Sequence, residues 1–115
     1  MLRTMIISAA LAALTCGSAF AADEIEGHWR TQPGDTAAIS DCGNAFCITL
    51  KDGDYAGKRI GQMTESGDGK YVGSITNPED GKTYSGNGRL TGDLLTMSGC
   101  ALGGLVCKSQ TWSRL

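Results

Sequence analysis

The sequence predicts an all-β protein, an antiparallel up-and-down meander of about eight strands closed into a small barrel. Three observations predict it. The 115 residues include 17 glycines and only two prolines, no ten-residue stretch shows convincing helical periodicity, and turn-forming residue pairs recur along the chain. A meander of this kind ordinarily protects its edge strands by closing into a barrel.

The first 21 residues predict a secretory signal peptide. Arg3 precedes an apolar run at 5–14, and the letters AFA at 19–21 have the small-x-small pattern that signal peptidase reads. The apolar run is shorter than the ~20 residues that a membrane-spanning helix needs. We therefore expect residues 1–21 to be removed, leaving one β-barrel domain at 22–115 with no membrane span.

The charge balance excludes one class of partner. Removing residues 1–21 takes away one of the ten basic residues and none of the twelve acidic ones, so the formal net charge changes from −2 to −3. The remaining sequence has no basic run or patch of the kind that neutralises phosphates. We expect no nucleic-acid partner.

Eight runs of strand length lie between turn pairs such as Asp52-Gly53 and Gly92-Asp93, which accept the positive φ of hairpin turns. Each run has the length and residue types of a short strand. The predicted strands are residues 26–31, 36–42, 45–51, 57–63, 70–76, 82–90, 94–100 and 107–114.

Alternation is clearest in the second and third predicted strands. One face carries Ile39, Phe46, Ile48 and Leu50. Cys42 and Cys47 share the opposite face under any hairpin loop of even length. With a four-residue loop they stand directly across from each other. With a two-residue loop they are diagonal neighbours, and we expect a strained bridge.

Four cysteines remain after the signal peptide, which carries the fifth, is removed: Cys42, Cys47, Cys100 and Cys107. An even number in a small exported domain predicts a disulfide framework. Local hairpin geometry favours the pairs 42–47 and 100–107 among the three possible pairings. Zinc binding is a weaker interpretation because the spacing is not CxxC and His28 is the one histidine. Redox catalysis is weaker still.

No catalytic constellation is apparent. The sequence contains no GxSxG or HExxH motif, and no cysteine of the mature domain is free if both bridges form. His28, between Gly27 and Trp29, is predicted to point into solvent on the first strand. We therefore expect a protein that is not an enzyme, with no cofactor and no catalytic or metal-binding residue.

Residues at the two ends of the predicted domain suggest how the barrel closes. Gly27-His28-Trp29 on the first strand and Arg114 on the last resemble the structural signature of lipocalin-type barrels. The resemblance implies that Arg114 closes one end over Trp29, a cation–π contact worth ~0.5–2 kcal/mol. We assign barrel closure or a pocket to Trp29, Tyr84, Trp112 and Arg114.

Two glycines on the Tyr84 face of the sixth strand, Gly86 and Gly88, remove side-chain volume. They either make room for an aromatic residue such as Trp112 or let the sheet bend sharply.

Four segments together carry a second resemblance: EGHWRT at 26–31, ISDCGNAFC at 39–47, GSITNPEDGKTYSG at 73–86 and SGCALGGLVCKSQTWSRL at 98–115. In this order they resemble the bacterial domain of unknown function 2147 family of exported proteins. The resemblance implies a secreted, lipocalin-like β-barrel and implies no particular biochemical role.

Three functions remain open. The leading hypothesis is a non-enzymatic periplasmic or secreted binding protein, for a small amphiphilic ligand inside the barrel or a protein partner on its rim. The second is an inhibitor of a secreted hydrolase, with residues 101–106 as the contact loop. An enzyme is the third. A deep apolar cavity would favour the first, and a solid core with an exposed apolar loop the second.

Overall fold

A computed structural model describes residues 24–115, so the predicted signal peptide at 1–21 lies outside the described residues. Eight antiparallel strands, each bonded to its neighbours in chain order, form a closed barrel. This confirms the predicted all-β meander. The strands are β1 Gly27–Arg30, β2 Thr36–Asp41, β3 Phe46–Leu50, β4 Arg59–Gly67, β5 Lys70–Thr76, β6 Thr83–Thr91, β7 Leu94–Ala101 and β8 Val106–Arg114.

The predicted strand bounds agree to within one or two residues at most positions, and β4 is the exception. It was predicted to end at 63 but continues to Gly67, because the polar residues after Met63 still pair with β5. The pairing shifts by one residue between Glu65 and Gly67, where a bulge leads into the turn. The residues that follow Met63 are polar and show no alternation, so the sequence did not predict this extension.

Closure joins the first and last strands. Trp29 pairs with Arg114 and Arg30 with Ser113, both in antiparallel register. The backbone N–H of Leu115 adds a bond to the carbonyl of His28 at 3.0 Å. Every strand therefore has two neighbours, and the pairing between β1 and β8 is confined to Ser113 and Arg114 at the end of β8.

Successive connections alternate between two ends of the barrel, because each strand reverses direction. The β1–β2, β3–β4, β5–β6 and β7–β8 connections share one end, which we call the open end. The other three connections lie at the opposite end, the closed end, where residues 24–26 lead into β1.

The core follows the predicted alternation. Ile39 pairs with Ile48 across β2 and β3, and both side chains are buried. Phe46 contacts Tyr71 edge to face, with ring centroids 6.1 Å apart. The largest fully buried side chains are Trp29, Ile25, Ile48, Met63 and Leu95.

A row of glycines crosses three neighbouring strands. Gly73 pairs with Gly86, and Gly86 pairs with Gly99. A Cβ added at Gly73 would overlap the backbone carbonyl oxygen of Gln62, whereas one added at Gly99 would make an ordinary contact with Tyr84 at 3.6 Å. The row lets β4 approach β5 closely at one end and leaves free space at the other.

Side chains of the neighbouring strands fill the space beside Gly86 and Gly88. A Cβ at Gly86 would come within 2.8 Å of the Ile75 side chain, and one at Gly88 within 3.3 Å of Met97 Sδ. These neighbours, and not Trp112, provide the nearest atoms. Of the two uses expected for these glycines, room for an aromatic residue such as Trp112 or a sharp bend, the first does not involve Trp112, because the nearest atoms come from Ile75, Met97, Met63 and Tyr71.

The Cys42–Cys47 bridge staples the β2–β3 hairpin at the closed end. Ser40 pairs with Cys47, and the Cys42 N–H bonds to the Ala45 carbonyl, so the cysteines are diagonal neighbours across a two-residue loop. Their Cα atoms are 5.7 Å apart, inside the range of ordinary disulfides. The two-residue loop therefore places the cysteines diagonally, within the Cα separation that a disulfide bridge allows.

The Cys100–Cys107 bridge lies at the open end. The two residues are direct partners on β7 and β8, with Cα atoms 4.1 Å apart. The bridge closes a short loop that begins at Leu102, a non-glycine residue in the left-handed region with φ 53°. Both pairs favoured from the sequence are therefore present, one at each end of the barrel.

Candidate functional site

A cavity of about 610 Å³ occupies the open end of the barrel and is partly open to solvent. Its volume lies in the range of small-molecule sites in proteins, ~300–1,000 Å³. The apolar part of its wall comes from several strands and one loop: Leu50, Tyr55, Ile60, Ile75, Tyr84, Met97 and Trp112.

The inner face of β8 supplies one side of this cavity. Alternation along β8 puts Lys108, Gln110 and Trp112 on the same face, and all three line the cavity. The indole Nε1–H of Trp112 donates to Gln110 Oε1 at 2.9 Å, so this buried donor is satisfied and the ring orientation is fixed. Trp112 pairs with Leu95, which places it towards the closed end, deep in the cavity.

Tyr84 and Trp112, two of the predicted site residues, both line this cavity. Tyr84 is half-buried on β6, where it pairs with Ile75. The cavity also contains residues that were not predicted from the sequence: Ile75, Met97 and the β8 residues before Trp112. Alternation outward from Trp112 could have identified Gln110 and Lys108, but nothing in the sequence indicates which positions of other strands face them.

The β3–β4 loop is held at the mouth by Asp52. Its carboxylate accepts a bond from the Thr36 backbone N–H at 2.7 Å. Bonds from this N–H and from the Thr36 hydroxyl hold the pKa of the Asp52 carboxyl below its ordinary value. The backbone N–H of Gly57 also donates to the Leu50 carbonyl at 2.7 Å. These bonds fix the loop that carries Tyr55 to the cavity.

The β5–β6 loop forms the neighbouring part of the mouth. Asn77 Oδ1 accepts from the Glu79 N–H and Asp80 Oδ1 from the Lys82 N–H, each at 2.9 Å. The Asn77 N–H donates to the Lys82 carbonyl at 2.8 Å. Pro78 and Glu79 are therefore held at the cavity rim by a loop whose backbone is well bonded.

Trp29 and Arg114, the other two predicted site residues, lie at the closed end. The Arg114 guanidinium carbon is 4.4 Å from the centroid of the Trp29 ring. Its Nη2 donates to the Glu24 carbonyl at 2.6 Å and its Nη1 to the Glu26 carbonyl at 3.3 Å. Nε pairs with the exposed carboxylate of Asp93 at 3.1 Å. Arg114 thus ties the entering chain, β1 and the β6–β7 turn together over the tryptophan.

The four residues therefore belong to two separate places, a closure at one end and a cavity at the other. Trp29 is completely buried, and its Nε1–H donates to the Ile25 carbonyl at 3.0 Å. It has no part in the cavity wall. The two assigned roles are therefore divided, with Trp29 and Arg114 in the closure and Tyr84 and Trp112 in the cavity wall.

Three further features bear on chemistry. Within residues 24–115, no group of three or more His, Cys, Asp or Glu side chains is placed to hold a metal ion. His28 is exposed on β1, as predicted. No helix in this described part of the chain is long and apolar enough to cross a membrane.

An exposed apolar loop adjoins the cavity mouth. Leu102, Leu105 and Val106 are 74%, 86% and 51% exposed. Val106 and Ala101 also line the cavity, so the loop continues its apolar wall onto the surface. The Cys100–Cys107 bridge closes the base of this loop.

Fold and site together define a class of protein: a small closed barrel of eight antiparallel strands with a cavity at one end. The chain belongs to the bacterial family described as "Uncharacterized protein conserved in bacteria (DUF2147)", which it matches over residues 49–114. The match confirms the family resemblance and includes the segment at 73–86 and most of that at 98–115. The segments at 26–31 and 39–47 lie outside it. No curated protein and no solved structure matches the chain.

Proposed function

We propose that this chain is a non-enzymatic, exported bacterial protein that binds a small amphiphilic molecule in the cavity at the open end. The observation that carries the proposal is the cavity of about 610 Å³ in so small a barrel. Unfilled apolar volume costs stability because its lining loses packing contacts. A ligand that occupies this volume would restore those contacts.

The distribution of residues around the cavity supports an amphiphile. Trp112 and Met97 are buried in its depth, while Asp35, Glu79 and Lys108 line its rim. An apolar group would therefore lie inside and a polar group at the mouth, which is the ordinary division of roles in small-molecule sites.

A non-enzymatic role is part of the same proposal. All four cysteines of the described chain are bridged, and His28 lies on the outside of the barrel, away from the cavity. Among the described residues, the cavity wall therefore contains neither a thiol nor an imidazole, two groups that often act as nucleophile or general base in enzymes.

The cavity proposal can be tested with the neutral fluorescent probe N-phenyl-1-naphthylamine. We expect wild-type protein to bind it, and Gly99→Leu, which adds a side chain on the inner wall, to weaken binding by about tenfold or more. Thr96→Leu adds the same side chain on the outer face of β7 and is the matched control. It should bind as wild type does.

Equal binding by wild type and Gly99→Leu, or no binding by either, would contradict the cavity proposal. Native mass spectrometry of protein purified from periplasm adds an independent measurement. A retained small molecule supports the proposal, and a retained hydrolase supports the inhibitor function described below.

Export is also proposed. It is supported by the signal-like residues 1–21 and by the two disulfide pairs. We expect periplasmic protein to have an intact mass that begins at Ala22, and a non-reduced peptide map to link 42 to 47 and 100 to 107. Retention of residues 1–21 would contradict removal of the signal peptide, and a link between the two pairs would contradict the pairing.

We further propose that the barrel is lipocalin-like. The support is the position of Arg114 over Trp29 beneath an entering segment that covers the closed end. This is the closure that the resemblance between Gly27-His28-Trp29 and lipocalin-type barrels implies.

Inhibition of a secreted hydrolase is the second candidate function. It is favoured by the 101–106 loop, whose Leu102 and Leu105 side chains are 74% and 86% exposed. Leu102 has φ 53°, so the loop holds a backbone conformation unusual for leucine, and the bridge at its base stabilises it. A rigid apolar tip of this kind suits insertion into another protein's cleft. The cavity makes ligand binding the better supported function.

A further inference from the structure

Lys108 has an unusual place in the barrel. It pairs with Gly99, and the two residues that follow it on the same face of β8, Gln110 and Trp112, line the cavity. Its side chain therefore begins on the cavity wall and reaches the rim, and the residue is exposed. In the open-end half of the described strands, no other charged residue has an inward register position.

The surroundings of Lys108 leave its ammonium group available. Gly99, directly across the ladder, has no side chain to block the lysine stem. Among the described residues, Arg114 and Asp93 form an ion pair at the closed end. No carboxylate of the described chain lies within ion-pair distance of Lys108.

The other two charged residues of the rim are placed differently. Asp35 belongs to the β1–β2 loop, and its carboxylate packs directly against Gly53 of the neighbouring loop. Glu79 is exposed and belongs to the β5–β6 loop. Neither residue belongs to a strand that forms the inner wall. Lys108 is therefore the charged residue best placed to contact a ligand group that projects from the cavity.

We propose that the ligand is an acidic single-chain amphiphile, whose apolar chain occupies the cavity and whose anionic head lies at the Lys108 ammonium. The inference rests on the proposed function, because it concerns the same cavity. Trp112 and Met97 contact the chain, and Lys108 selects the sign of the head-group charge.

Three ligands with the same twelve-carbon chain test the inference: dodecanoate, dodecanol and dodecyltrimethylammonium, each used below its micelle concentration to displace N-phenyl-1-naphthylamine. We expect wild-type protein to bind dodecanoate about fivefold or more tightly than the cation, and the preference to fall with added salt. Lys108→Gln should abolish the preference, and Lys108→Glu should reverse it. Dodecanol, which is uncharged, should bind to wild type and to both Lys108 variants with equal affinity.

Lys82→Gln is the matched control, because it removes one positive charge from the β5–β6 loop at the same end of the barrel. It should keep the wild-type preference for dodecanoate, and thermal melting should show that every variant is folded. If dodecanol displaces the probe but dodecanoate has no advantage, or if Lys108→Gln keeps the advantage, the inference is overturned and the cavity function stands. If none of the three ligands displaces the probe, both are overturned.

Discussion

Gly73→Ala is expected to lower the free energy of unfolding by about 3 kcal/mol. The added Cβ would overlap the Gln62 carbonyl oxygen and lie within 2.8 Å of Met63 Cα. Both are backbone atoms of β4, so no side-chain rotation relieves the overlap and the β4–β5 pair must move apart. Urea or thermal unfolding measures the effect. For a domain of this size, the melting temperature should fall by roughly 12–24 °C.

Gly99→Ala is the matched control, since Gly99 belongs to the same row of paired glycines. Its new Cβ would meet Tyr84 Cβ at 3.6 Å, an ordinary contact. Alanine also restricts the unfolded chain more than glycine does, which adds stability where the backbone permits it. We expect a melting temperature close to that of wild type. Similar losses for the two variants would show that backbone approach at Gly73 is not the cause.

Arg114→Ala is expected to lower the free energy of unfolding by about 2 kcal/mol, at the upper end of the cation–π range. The change removes the guanidinium from above Trp29 and leaves the carbonyls of Glu24 and Glu26 without its bonds. The ion pair between Arg114 and Asp93 adds little stability, because the Asp93 side chain is 84% exposed. Arg114→Lys, which keeps the charge but not the forked donor, should lie between alanine and wild type.

Arg89→Ala serves as the control for Arg114→Ala. Arg89 is exposed on β6, in the middle of the sheet, and substitutions at such positions usually change stability little. Denaturant unfolding followed by tryptophan fluorescence measures both variants. Equal and small changes would mean that Arg114 is an ordinary surface residue and that the closed end is held by other contacts.

The strands could be predicted because their signals are local. Turn pairs such as Asp52-Gly53 mark where strands end, and alternation in β3 identifies its inward face. Closure needed one longer-range clue, the resemblance of the Trp29 region and Arg114 to a known type of barrel. The disulfide pairs also followed from short hairpins.

The cavity could not be predicted because it depends on register around the whole barrel. The β3–β4 pairing shifts between Ile48 and Thr49, and this irregularity leaves Ile60 buried beside Gly61. Simple alternation assigns those two neighbours to opposite faces. Tyr55 reaches the cavity from a loop, where no periodic pattern applies.

The glycine row illustrates the same limit. The residues Gly86 and Gly88 could be recognised as removing volume from one strand, but what fills the space depends on the strands beside them. Only the observed pairing joins Gly86 to Gly73 and Gly99. A sequence pattern describes one strand at a time, whereas packing inside a barrel depends on three neighbouring strands.

The seam between β1 and β8 imposes an order on assembly. Each strand from β2 onwards can pair with the strand made just before it, but Arg114 contacts Glu24 across 90 residues of sequence. Until residue 114 is available, a chain emerging from its N-terminus is an open sheet with two bare edges. Such edges invite pairing with other chains. A stalled or shortened chain that lacks β8 would therefore be the species most prone to aggregate, although it contains most of the barrel.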